Sequence, residues 1–220
     1  MKTRALFTSN ALLLALAVFT QAAGAQERDA PKLEVGVQYT SLSVNLPGFF
    51  FGGTDTAVGV GGRVTYNFND YFAVEAEGNL LPSDLTQSYG TGGAAQQVQA
   101  GAKVGRRWRR FGLFAKARPG VVHFSSVAEV AGYETFVFAG QTFFVPNFRQ
   151  TDKTYFSMDL GGVIEFYPSD RIFTRFDVGD TMIRYPSRDN TAAFTLAPPP
   201  RLPAELRHNL QVTAGIGLRF

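Results

Sequence analysis

The feature that most constrains this sequence is an alternation of apolar and polar residues with a period of two. It recurs in segments of roughly ten residues, separated by turn-forming clusters. In Leu33–Val44, residues Leu33, Val35, Val37 and Tyr39 share one face, while Glu34, Gln38 and Thr40 take the other. That period places successive side chains on opposite faces of a β-strand and does not suit a helix. The same pattern runs through Val58–Phe68, Phe72–Leu80, Gln96–Gly105, Phe111–Val122, Tyr155–Phe166, Ile172–Gly179 and Leu206–Phe220. Eight antiparallel strands are therefore expected. Pro119 cannot donate to a ladder, so a bulge or a strand end is expected near it.

The polar face carries charge in mid-strand. Arg63, Lys103, Lys116, Arg118, Arg175, Arg207 and Arg219 are its basic members, and Glu34, Glu75, Glu77, Asp159, Glu165 and Asp177 its acidic ones. A soluble sheet also alternates, with its apolar face turned to a core. A narrow eight-stranded barrel is just filled by its interior side chains, and charges packed there need partners of opposite sign. The near balance of sign fits that interior, with the apolar rows turned to lipid. Aromatic residues sit where strands meet turns, as interfacial girdles require. Phe68, Tyr71, Phe72, Trp108, Phe111, Phe166, Tyr167 and Phe220 map to one end, and Tyr39, Phe124, Tyr155 and Tyr185 to the other.

Connections alternate in length. Asn45–Thr56, Leu81–Ala95, His123–Thr154 and Asp180–Glu205 are long, whereas Asn69–Tyr71, Arg106–Arg110 and Tyr167–Arg171 are short. Short periplasmic turns and long outer loops are the habit of outer-membrane barrels. The fold expected is thus an all-β, eight-stranded antiparallel transmembrane β-barrel over residues 26–220. Residues 1–25 read as a signal peptide. Lys2 and Arg4 precede the apolar run Ala11–Thr20, and Ala23-Gly24-Ala25 forms a cleavage site read through Ala23 and Ala25. The chain has no cysteine, which excludes a disulfide scaffold and thiol chemistry. Without Lys2 and Arg4 the mature chain is close to neutral, so nothing invites nucleic acid.

Candidate chemistry is sparse. Arg106-Arg107-Trp108-Arg109-Arg110 reads first as a solvated turn, with anionic lipid headgroups as the functional alternative. The histidines are His123 and His208. His208 is expected on the outward face near the outer rim, but Leu210 occupies the position where a lipid-deacylase pattern would want serine. His123 has Ser125 and Ser126 nearby, with nothing to fix a catalytic geometry. Gly59-Val60-Gly61-Gly62 lies within a strand and is better explained by barrel curvature than by nucleotide binding. No catalytic residue, metal ligand or cofactor is expected. Phe49-Phe50-Phe51, Tyr133–Phe148 and Pro198-Pro199-Pro200 are unusually apolar for loops. A β-hairpin around Ala139-Gly140 is expected to extend above the membrane.

Three stretches then carry a resemblance. They are Leu160–Phe166, the turn Pro168-Ser169-Asp170-Arg171 with Arg175–Val178, and the ending His208–Gln211 with Gly215–Phe220. The chain resembles the outer-membrane β-barrel domain family that includes the OmpA transmembrane domain and OmpX-like proteins. The resemblance implies a bacterial outer-membrane location, and contact with outer-membrane lipid and lipopolysaccharide. It also implies an assembly signal read by the barrel-assembly machinery, carried by Leu210, Val212, Ala214, Ile216, Leu218 and Phe220. The role expected is structural or surface-interacting, with no open pore and no enzymatic activity. A small-solute or hydrophobic-molecule channel and a lipid A-modifying enzyme stay open as alternatives, as does a ligand at the outer loops.

Overall fold

Alternation becomes architecture through strands whose outward rows are rich in valine, isoleucine and aromatic residues, the side chains that suit a pleated surface. The computed structural model describes residues 31–45, 54–82, 93–190, 195–197 and 199–220. The signal-peptide segment with Ala23 and Ala25, and the Phe49–Phe51 cluster, lie outside the described residues, as does Pro198. The strands are β1 (Leu33–Asn45), β2 (Thr54–Asn67), β3 (Phe72–Leu81), β4 (Ala95–Arg107), β5 (Phe111–Phe138), β6 (Gln141–Phe166), β7 (Ile172–Tyr185), β8 (Glu205–Arg207) and β9 (Leu210–Arg219). Each pairs antiparallel with its neighbours. The ring closes where β9 pairs with both β1 and β7. β8 and β9 together form the eighth stave, so the barrel has the eight antiparallel strands expected.

Short turns join the strands at one end, and two are built by side chains that replace ladder bonds. Asn69 Oδ1 accepts the Tyr71 and Phe72 amides, each at 2.8 Å. Ser169 Oγ accepts the Ile172 amide at 3.1 Å. At the opposite end β5 and β6 run on far beyond the expected Val122 and Tyr155. They form the anticipated hairpin, turning at Ala139 (φ 51°) and Gly140 (φ 77°). Two successive positive φ values make the tight two-residue turn that matches strand twist.

Three sequence expectations need correction. β5 continues through Pro119, which pairs with Met158 and faces outward. The β4–β5 ladder skips Arg118 and Pro119 without changing register, because the missing N–H costs that ladder one bond rather than a strand. The bulges come later, between Phe124 and Val127 and between Val130 and Gly132. The last strand breaks at His208-Asn209. There Asn209 Nδ2 donates to the carbonyls of Thr181 (2.7 Å) and Arg207 (3.0 Å), and Asp180 Oδ1 accepts the Asn209 amide at 3.1 Å. These side-chain bonds stand in for some of the ladder bonds, while the Thr181 amide still donates to the Asn209 carbonyl at 2.7 Å and the register continues unchanged to Ile183–Arg207. Phe124, Tyr155, Tyr167 and Tyr185 point inward rather than into girdles, because they share the parity of the interior charges beside them in sequence, and Tyr155 packs on Phe124 and Tyr185.

The distribution of polarity is inverted relative to a soluble protein. Arg118 and Lys103 are 0 % exposed, whereas Val37 is 65 % and Leu113 54 % exposed. A continuous apolar outer band of this kind requires an apolar medium around it. Close curvature is allowed by inward-facing glycines. A Cβ on Gly59 would lie 1.9 Å from the Leu80 carbonyl oxygen, so close approach of neighbouring strands requires glycine there.

Candidate functional site: the ion-paired lumen and the outer rim

Because every second residue faces inward, ten-residue strands deliver their charges to a common interior at staggered heights. Nearest the short turns, Glu34 receives Arg107 at 3.1 Å, Arg219 at 3.3 Å and Lys103 at 3.7 Å. Tyr167 donates its hydroxyl to Glu165 at 2.6 Å and accepts from Arg107 at 2.9 Å. The Arg219 guanidinium lies 4.1 Å from the centre of the Tyr167 ring, a cation–π contact. Lys103 pairs closely with Glu165. Arg175 grips Glu75 with two bonds of 2.7 and 2.9 Å and Asp177 at 2.6 Å.

At mid-height Arg118 reaches Glu75 at 3.1 Å and Asp159 at 2.5 Å, and pairs closely with Glu77. Lys116 meets Asp159 at 2.8 Å, and Arg63 meets Asp177 at 3.6 Å. Charges this deeply buried persist only when their partners are close and their remaining valences are bonded. The Arg118 and Arg175 guanidiniums fork across the lumen, a geometry that a point-charge ammonium cannot reproduce.

Above the charges lies an uncharged layer. Gln38 and Thr40 bond Asn79, Asn79 bonds Gln97, and Gln97 bonds Gln211, which Thr181 also reaches. The outer end is then closed by apolar side chains: Leu42, Val44, Ala57, Leu81, Ala95, Val122, Phe124, Ile183 and Tyr185. The interior thus passes from salt to amide to hydrocarbon.

The expected interior residues Glu34, Arg63, Glu75, Glu77, Lys103, Lys116, Arg118, Asp159, Glu165, Arg175, Asp177 and Arg219 are all buried. Arg207 is the exception. It is a third exposed at the outer rim and pairs with Glu205 at 2.7 Å, because it keeps the barrel's register opposite Ile183, at the height of the apolar layer and beyond the charged tiers. Its place in the basic set is taken by Arg107, buried and paired with Glu34 although it adjoins the basic turn. The parity of Gln97, Gln99 and Lys103 on the same strand was the signal for it. Leu210, Ala214, Ile216, Leu218 and Phe220 face outward, and Val212 lies half-buried in the same row.

At the outer rim His208 Nδ1 bonds Asp180 at 2.5 Å, and His123 Nδ1 bonds the Thr154 hydroxyl at 2.9 Å. Among the described residues neither imidazole is bonded to a serine. The hairpin is braced by the loop that follows β7. Tyr133 donates to the Asn190 carbonyl at 2.7 Å, and the Phe144 amide donates to the Thr195 carbonyl at 2.8 Å.

Across the hairpin, Glu129 accepts from Arg149 at 2.8 Å and Lys153 at 3.0 Å. Those hydrogen bonds hold its carboxyl below the usual carboxylate range. A depressed folded-state pKa gives stability that is complete above the unfolded-state value and is lost as pH falls through the depressed one. Amide protection factors at Glu129 and Arg149 should therefore drop at about pH 3 relative to pH 7, while those in β3 do not. In Glu129→Gln the drop should vanish. Equal wild-type protection at both pH values would refute this role for the carboxylate.

A family model described as the outer membrane protein beta-barrel domain matches residues 11–220. The chain belongs to that family. Membership agrees with the inverted polarity, the closed eight-stranded ring and the contrast between short turns and long loops. Solved structures add likenesses at low identity. Ail, the attachment invasion locus protein of Yersinia pestis, is 15 % identical, with 88 % of this chain and 100 % of Ail covered and a TM-score of 0.45. Neisserial surface protein A is 10 % identical, covering 86 % of this chain and 96 % of that one, with a TM-score of 0.45. The outer membrane protease OmpT of Escherichia coli is 8 % identical, covering 90 % and 99 %, with a TM-score of 0.40. A search of curated proteins returned no match.

Proposed function

We propose that this outer-membrane barrel is non-catalytic and closed to solutes, and that its outer hairpin and loops make its contacts beyond the bilayer. The observation that carries the reading is the position of Arg118 and Arg175. Each is buried, and each ties carboxylates from different staves across the lumen. A conducting path would have to part these pairs and also the apolar layer above them, leaving buried charge without partners. Purified protein in planar bilayers should show no steady unitary conductance. Stepwise conductance that persists at low voltage would overturn the closed-lumen reading in favour of a channel.

The same reading places the protein in the bacterial outer membrane after removal of a signal peptide, with Gln26 as the mature N-terminus. Leu210, Val212, Ala214, Ile216, Leu218 and Phe220 would then serve as the signal to the assembly machinery. Lipopolysaccharide would surround the outer strands, with any surface ligand at the hairpin.

A further inference from the structure

We infer that the β4–β5 turn is a binding site for anionic phospholipid headgroups in the periplasmic leaflet. The turn Trp108–Arg110 is three residues long, so Arg106, Arg109 and Arg110 stay close to the strand ends. Trp108 stacks on Phe111 with ring centres 4.6 Å apart and planes 23° from parallel, and the Arg106 guanidinium lies 5.6 Å from the Trp108 ring. Phe111 begins an outward row that continues through Leu113 and is flanked by Phe166 across the ladder. The aromatic pair is thus the lower edge of the lipid-facing band, and the arginines sit at headgroup height beside it.

Charge decides the occupant. Among the described residues Arg106, Arg109 and Arg110 make no ion pair, whereas Arg107, in the same run, turns inward to Glu34. The neighbouring turns hold Asp70 and Asp170, and neither pairs with these three arginines. Three uncompensated guanidiniums at a membrane surface select negative headgroups, by about fivefold per arginine at most. A soluble periplasmic polyanion would not need the aromatic stack to be continuous with the lipid-facing row. The site stands whether or not the lumen conducts.

Trp108 is the single tryptophan of the chain, so its fluorescence reports on this site alone. The protein is refolded into vesicles containing brominated phosphatidylglycerol or brominated phosphatidylcholine at equal mole fraction. Quenching of Trp108 should favour the anionic lipid by about fivefold or more. The preference should fall to about one in the triple variant R106Q/R109Q/R110Q. Half-molar salt should weaken it in the wild type, which tests the site even if the variant fails to fold. Equal quenching by both lipids would overturn the proposal, as would a preference insensitive to salt or retained in the folded triple variant.

Discussion

Arg118→Met is expected to cost the barrel about 3–5 kcal/mol of stability, the penalty for stripping one partner from a buried ion network. Methionine fills similar volume, so the loss arises from the carboxylates left behind. Glu77 suffers most, because Arg118 is the cation it pairs with and its other bond comes from the neutral Asn79 amide. Glu75 keeps Arg175 and Asp159 keeps Lys116, so the damage centres on one site. Urea unfolding of vesicle-folded protein, followed by the loss of heat-modifiable migration, measures the effect. Arg118→Lys should fall between, since an ammonium retains the charge and loses the fork. Adding Glu77→Gln to Arg118→Met should recover part of the loss, as expected for directly coupled groups. A wild-type midpoint in Arg118→Met would mean that the network contributes nothing to stability.

The second large effect is expected on the opposite face. Val37→Arg should destabilise the inserted barrel by about 2–4 kcal/mol, the cost of a cation at mid-bilayer on a barrel's lipid face. Val37 lies mid-strand on β1 between Gly62 and Ile216, is 65 % exposed, and has the interior-facing Gln38 beside it in sequence. In a water-soluble barrel an exposed valine on the outer surface would accept arginine within about 0.5 kcal/mol. Folding into vesicles from urea distinguishes the two. Unchanged folding would remove the outward row from contact with lipid.

Much of this molecule was readable from parity alone. Strand identity, strand number and twelve of the thirteen named interior charges follow from a period of two, because a closed barrel leaves each side chain only two directions. What was not readable depends on height along the barrel, which parity leaves open. Arg207 has interior parity and unbroken register, but it lies opposite Ile183 at the level of the apolar layer, where the wall ends and the carboxylates of the lumen are out of reach. Arg107 was masked by four basic and aromatic neighbours, although its parity was correct. Phe124, Tyr155 and Tyr185 are ambiguous in sequence because aromatic residues near strand ends suit both an interface and an interior. The apolar layer they help to build has no signature apart from that parity. The reach of the hairpin was underestimated because β5 and β6 lose strict alternation once both faces meet the same surroundings.

Glu34 lies at the start of the first strand, and the cations it holds come from β4 and from the end of β9. Of the lumen's charges, Glu34 comes first along the chain and Arg219 last. A ribbon that has not yet joined its two edges would carry Glu34 and Arg219 as orphaned charges beside hydrocarbon. Sealing the seam cancels both at once. The first and last staves thereby form a latch that rewards only the complete circle and disfavours a ring short of one member.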